Sequence, residues 1–225
     1  MSVMRAHDLN EFGSGGMRAF RPVPGLPPLS AGPRQTASAA ILFADIVGFT
    51  GLSERLTPNE TFSLLAGFHE RMAHVVGSRG AAICDVIGDS VMAVWTGASG
   101  EQNAARALES GFAMLGAMRR WGGGRAVADE ALRIGIGLHA GPVMTGRTGT
   151  ALQSKLSAFG DAVNVAHRLE RLTRSRSAAV IASATLLRAA RAARPGDHLV
   201  SRFQADEEVV LPGRTAPIRI GIARS

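Results

Sequence analysis

The chain has 225 residues, 46% of them hydrophobic, and 25 basic against 18 acidic residues give it a net charge of +7. That length and apolar fraction suffice for one domain with a full core, and no apolar run reaches the roughly 18 residues of a membrane span. A single cysteine, Cys84, excludes an intrachain disulfide.

The first ten residues hold no apolar h-region of a signal peptide, so a cytoplasmic protein is the expectation. Residues 1–37 carry Gly13, Gly15, Gly16, Pro22, Pro24, Gly25, Pro27, Pro28, Gly32 and Pro33, the composition of a flexible tail or linker. The domain is expected over residues 38–225. Its first strand is read at 39–45. A helix follows over 58–76, with Thr57 as N-cap, Pro58 at the first helical position, and Phe62, Leu65, Phe68 or His69, Met72 and Val76 as its apolar stripe. Two short strands, 81–87 and 90–95, flank a Gly88-Asp89 turn. Within the first of these, Cys84 reads as a small buried apolar residue.

A second helix spans 101–120 and ends at Trp121-Gly122-Gly123-Gly124. Residues 132–140 form a central strand whose glycines permit close backbone approach. A short strand at 155–159 leads into a helix with Asp161 near its N-cap. Val165, Leu169 and Leu172 would face the core there, and Asn164 and Arg168, four apart, share another face. A strand at 178–182, a helix at 183–194 and a hairpin of 208–211 with 218–222 complete the chain. The order is βαββαβ with an αβαββ extension, for which a ferredoxin-like α+β sandwich is the natural packing.

Arg171, Arg174, Arg176, Arg188, Arg191 and Arg194 spread over one helical region, and Lys155 is the only lysine. With 5% aromatic residues and no tyrosine, the charge lacks a base-stacking platform. It reads as a solvated basic face and not as a nucleic-acid surface. His139 and His167 have no Cys/His cluster around them and read as ordinary histidines. Gly135-Ile136-Gly137 lacks the third glycine and the helix of a dinucleotide loop.

Two carboxylates stand out. Asp45 and Asp89 each end an apolar strand-like run beside a glycine. A carboxylate there is costly unless paired or bound to a metal. On neighbouring strands the two can meet and hold hard cations for phosphoryl chemistry. The small-residue stretch after Asp45, Ile46 to Thr50, can turn backbone N–H groups toward a phosphate.

These segments carry a resemblance. F-A-D-I-V-G-F-T from Phe43, I-G-D from Ile87, G-I-G-L-H-A-G-P-V from Gly135 and F-G-D-A-V-N-V-A-H-R-L-E from Phe159 resemble, in that order, the catalytic domain of class III nucleotidyl cyclases. The resemblance implies the cyclase version of the α+β fold. It implies that a purine nucleoside triphosphate becomes the 3′,5′-cyclic monophosphate and pyrophosphate. Asp45 and Asp89, with the Ile46 carbonyl, would hold two divalent cations, Mg²⁺ or Mn²⁺. Val47, Gly48, Phe49 and Thr50 would face phosphates. Asn164 would orient the ribose and Arg168 stabilise the transition state. A homodimer would carry two shared sites, with Asp45 and Asp89 from one chain and Asn164, Arg168 and the base readers from the other.

In the base readers the chain departs from the usual pattern. Adenylyl cyclases resembling it place lysine where Asp85 stands and aspartate or threonine where Ser157 stands, whereas guanylyl cyclases place glutamate and cysteine. A carboxylate accepts from guanine N1–H and the N2 amino group, and Ser157 can donate to O6. GTP is therefore favoured and ATP next, with a pyrimidine or relaxed specificity left open. Lys155, two residues before Ser157, can also enter the pocket. The alternative is a catalytically degenerate domain that binds nucleotide or a partner.

Overall fold

The computed structural model describes residues 34–121, 132–149 and 154–224. The tail up to residue 33 and the Gly122-Gly123-Gly124 helix stop lie outside them. The elements in chain order are β1 (Gln35–Ile46), α1 (Phe49–Ser53), α2 (Pro58–Gly77), β2 (Ile83–Ile87), β3 (Ser90–Trp95), α3 (Gly100–Trp121), β4 (Ile134–Gly149), β5 (Ser154–Phe159), α4 (Asp161–Ser175), β6 (Val180–Ser183), α5 (Ala184–Ala193), α6 (His198–Ser201), β7 (Gln204–Val209) and β8 (Ile218–Ala223). The strands form one sheet in the order β2-β3-β1-β4-β6-β8-β7, with β5 paired to β4. Among the described residues only β4 and β6 run parallel, and the other pairs are antiparallel.

Period-two alternation divides the core. On one sheet face Leu42, Ala44, Ile46, Val91, Ala93, Trp95, Ile136 and Leu138 pack with α2, α3 and α5. On the other, Ile41, Phe43, Met92 and Val94 pack with Ala162 and Ala166 of α4. Each large side chain fully buried in these layers contributes about 1.5–3 kcal/mol. This is the expected α+β sandwich, with α4 as the opposite layer. The α2 start is also as expected: Thr57 caps it, its hydroxyl accepting from the Glu60 N–H at 3.3 Å while the Glu60 carboxylate accepts from the Thr57 N–H at 2.8 Å.

Several expectations need correction. The α2 core stripe is Leu64, Phe68, Met72 and Val76, an unbroken i,i+4 row, while Phe62 is 73% exposed. Cys84 is exposed, because on the edge strand β2 it is Ile83 that takes the inward position. Strand β1 takes in residues 35–37 of the expected tail, and β4 runs past Pro142 to Gly149. Helices α1 and α6 are additional. Three of the six arginines, though still solvent-exposed, are also ion-paired: Arg174 with Asp45 and Glu170, Arg176 with Glu207, and Arg194 with Glu109. No helix among the described residues is long and apolar enough to cross a membrane.

The glycines of β4 permit a very close approach of helix α4. A Cβ on Gly137 would lie 2.1 Å from the Glu170 nitrogen and 2.3 Å from the Ala166 oxygen, and one on Gly135 would lie 2.3 Å from Thr173 Oγ1. Backbone cannot yield as a flexible side chain does. Gly137→Ala should therefore cost at least about 3 kcal/mol, lowering the melting temperature by about 6–12 °C. A melting temperature within 2 °C of the parent, by circular dichroism, would contradict this packing.

Candidate active site

Asp45 sits near the end of β1, with Ser90 and Gly135 as register partners. Its odd-numbered neighbours Ile41 and Phe43 face α4, and Asp45 continues that row. Asp89 lies in the two-residue turn between β2 and β3, where Gly88 adopts a φ of 60° that a side chain would disfavour. The sheet thus brings the two carboxylates close together, as expected, since Ser90, the residue after Asp89, pairs with Asp45. Burial first, then the neighbouring Asp45 carboxylate, pushes the Asp89 carboxyl up to about 6.

The two carboxylate oxygens of Asp45 have unequal fates. Oδ2 accepts a hydrogen bond from Arg174 Nη2, and Oδ1 is buried with no partner. Arg174 Nη1 also donates to Glu170 Oε1 at 2.9 Å. Glu170 is only 1% exposed, and its burial, partly offset by Arg174, pushes its carboxyl up to about 7. Asp45, His167, Glu170, Arg171 and Arg174 line a cavity of about 340 Å³. His167 packs in a tilted contact against Phe43, with ring centroids 5.0 Å apart. Neither Arg174 nor Glu170 is among the expected site residues. Their i,i+4 spacing was visible, but it looks like any surface ion pair until the fold sets it over Asp45.

Asn164 and Arg168 share the exposed side of α4, as their spacing requires, but they do not line the Asp45 cavity. Arg168 instead lies against the turn between β7 and β8, where its Nη2 is 3.4 Å from the position of a Cβ on Gly213. Next to it Arg214 pairs with Asp161. One chain therefore does not bring Arg168 to the carboxylates.

Asp85 and Ser157 belong to a third group. Lys155 Nζ donates to Asp85 Oδ2 at 2.5 Å, which ties β5 to β2. Ser157 is buried, and its hydroxyl is 3.0 Å from that of Thr148. The expected carboxylate is present but is not a bare anion, because Lys155 already neutralises it.

In the loop after β1, Gly48 takes a left-handed φ of 77° and precedes α1, so Phe49 and Thr50 stand in a first helical turn. First-turn N–H groups have no intrahelical acceptor. The Val47 N–H is not available in this way, since it donates to the Arg133 oxygen at 2.9 Å. His139 lies within the sheet, where burial pushes its imidazole down to about 4. Among the described residues no three His, Cys, Asp or Glu side chains converge as a metal cluster.

The family described as the adenylate and guanylate cyclase catalytic domain matches residues 32–219. An adenylate cyclase of Anabaena cylindrica is 30% identical over 169 residues, 73% of this chain and 33% of that protein. The structure of a bacterial light-regulated adenylyl cyclase superposes with a TM-score of 0.72 at 26% identity, covering 89% of this chain and 56% of the other. The guanylyl cyclase Cya2 superposes with a TM-score of 0.68 at 29% identity, covering 85% and 93%. The chain spans about a third or less of the length of such curated relatives.

Glu170 makes folding depend on pH. Its carboxyl sits at about 7 in the fold against an ordinary 4.5, so the folded state binds the proton more tightly. The resulting stabilisation is complete below about 4.5 and is lost as pH rises through about 7. The melting temperature should fall between pH 5 and pH 8, and Glu170→Gln should flatten that fall. An equal slope in parent and variant would contradict the assignment.

Proposed function

This chain belongs to the adenylate and guanylate cyclase catalytic domain family, and on that premise we propose that it converts a purine nucleoside triphosphate, GTP in preference to ATP, into the 3′,5′-cyclic monophosphate and pyrophosphate. The observation that carries the proposal is the Asp45–Asp89 pair, with one buried oxygen of Asp45 left without a partner. Such an atom is costly unless a ligand completes it. Hard oxygen donors at a sheet end fit Mg²⁺ or Mn²⁺. With only two carboxylates and the Ile46 carbonyl from the protein, the remaining ligand positions fall to substrate phosphate and water.

Two divalent cations bound there would lower the pKa of the attacking hydroxyl and neutralise the triphosphate. The chain's own residues do the rest. Asn164 orients the ribose so that its 3′-oxygen faces the α-phosphorus in line with the leaving pyrophosphate. Arg168 stabilises charge at the α-phosphate as it redistributes, and so acts on turnover more than on binding. The first-turn N–H groups at Phe49 and Thr50, following Gly48, face the phosphates.

The site is completed by a second copy of the chain. Arg168 faces the β7–β8 turn and not Asp45, so a complete constellation needs Asp45 and Asp89 of one chain and Asn164 and Arg168 of another. A symmetric homodimer would carry two such sites. Its surface is consistent with an apolar group around β2 and the β4–β5 ribbon: Ile87 is 60% exposed and Phe159 56%, with Val86, Met144 and Leu156 nearby in the strands.

For the base, Asp85 accepts from guanine N1–H and the N2 amino group. Lys155 and Ser157, on one face of β5, supply donors for O6. Adenine offers an acceptor at N1, against which the carboxylate is mismatched. Contacts of this kind are worth about 1–3 kcal/mol each, which sets a preference of roughly 10- to 100-fold.

With Mn²⁺ and equal GTP and ATP, mass spectrometry should find mainly cyclic GMP. Asp45→Ala and Asp89→Ala should each abolish it while the melting transition survives. Mainly cyclic AMP would show that Asp85 does not face the base. Near-native turnover by either alanine variant would remove the metal assignment, and no cyclic product from any of the four triphosphates would overturn the activity.

A further inference from the structure

Arg174 contacts the carboxylate on which the reaction is proposed to depend. Resting on that metal reading, we propose that Arg174 is an internal counter-cation that competes with the divalent cation for Asp45 and thereby sets the metal affinity of the site.

The guanidinium is forked. Nη2 donates to Asp45 Oδ2 and Nη1 to Glu170 Oε1, so one positive charge serves two carboxylates. Planar, always charged and bidentate, arginine suits this bridging, and lysine would not replace it. Glu170 anchors the fork: its side chain is 2% exposed and packed where β4 has glycines in place of side chains. A dication approaching Asp45 meets both an occupied oxygen and a positive charge.

There is room for the arginine to leave. Arg174 stands on the wall between two cavities. One, of about 340 Å³, holds Asp45. The other, of about 250 Å³, is lined by Val47, Thr173 and Ser177 among others. Retreat into the second cavity frees Asp45 Oδ2. That cavity is also lined by Arg119 and Arg133, so like charge opposes the retreat. Arg174 therefore stays on Asp45 until a doubly charged ion outcompetes it.

The test is direct Mn²⁺ titration of the full chain without nucleotide, following the free-ion electron paramagnetic resonance signal. Arg174→Gln should tighten Mn²⁺ binding by about 10- to 100-fold, the range that loss of one charge-assisted hydrogen bond represents. Should that variant melt low because Glu170 is left unpaired, the Glu170→Gln, Arg174→Gln double variant removes both partners and should show the same tightening. Unchanged or weaker binding in a folded variant overturns the proposal. Adding Asp45→Asn should erase the gain. A gain that survives Asp45→Asn would count against the metal reading itself, which separates the two failures.

Discussion

Helix α4 lies on β4 with almost no side chains between them. Gly135, Gly137 and Gly141 occupy one strand face, and a Cβ on any of them would come within 3 Å of α4 atoms. The surroundings of Asp45 follow from this approach. It sets Glu170 and Thr173 against the start of β4, beside the end of β1, and so brings Arg174 onto Asp45. The same helix, locked in that rotation, turns Asn164 and Arg168 away from the carboxylates. A looser contact with ordinary side chains would allow α4 to rotate or slide, and neither relation would hold.

The electrostatics of the cleft follow from the same packing. Three acids gather here: Arg174 bridges Asp45 and Glu170, and Asp89 feels its charge from beside Asp45. Such a group cannot be fully ionised without strong repulsion. Burial first, and the neighbouring Asp45 charge after it, raises the carboxyls of both Asp89 and Glu170 well above the usual range. A site with too much negative charge for its own arginine is suited to divalent cations, and the unpaired buried oxygen of Asp45 points the same way.

What was legible in the sequence was local. The apolar runs ending in Asp45 and Asp89, the Thr57-Pro58 cap and the helical phase of Asn164 and Arg168 depend on neighbours within a few residues. The contacts that the sequence did not disclose are long-range. Arg174 meets Asp45 across 129 residues, and Lys155 meets Asp85 across 70. Strand β4 continues through Pro142 because that residue falls in the gap between its β6 pairing, which ends at Leu138, and its β5 pairing, which begins at Met144. A missing N–H is tolerated there. Phe62 and Leu64 differ in which side of α2 they take, and only the sheet beneath decides that.

The central claim is that one active site is assembled from two chains, because α4 holds Arg168 away from the Asp45 of its own chain. Subunit mixing tests it most directly. An Asp45→Ala chain and an Arg168→Ala chain, each inactive alone, are mixed under conditions where subunits exchange, and cyclic product is measured. The account predicts that activity returns, because the mixed dimer has one site with both defects and one with neither. If exchange is demonstrated and no activity returns, the site does not span two chains.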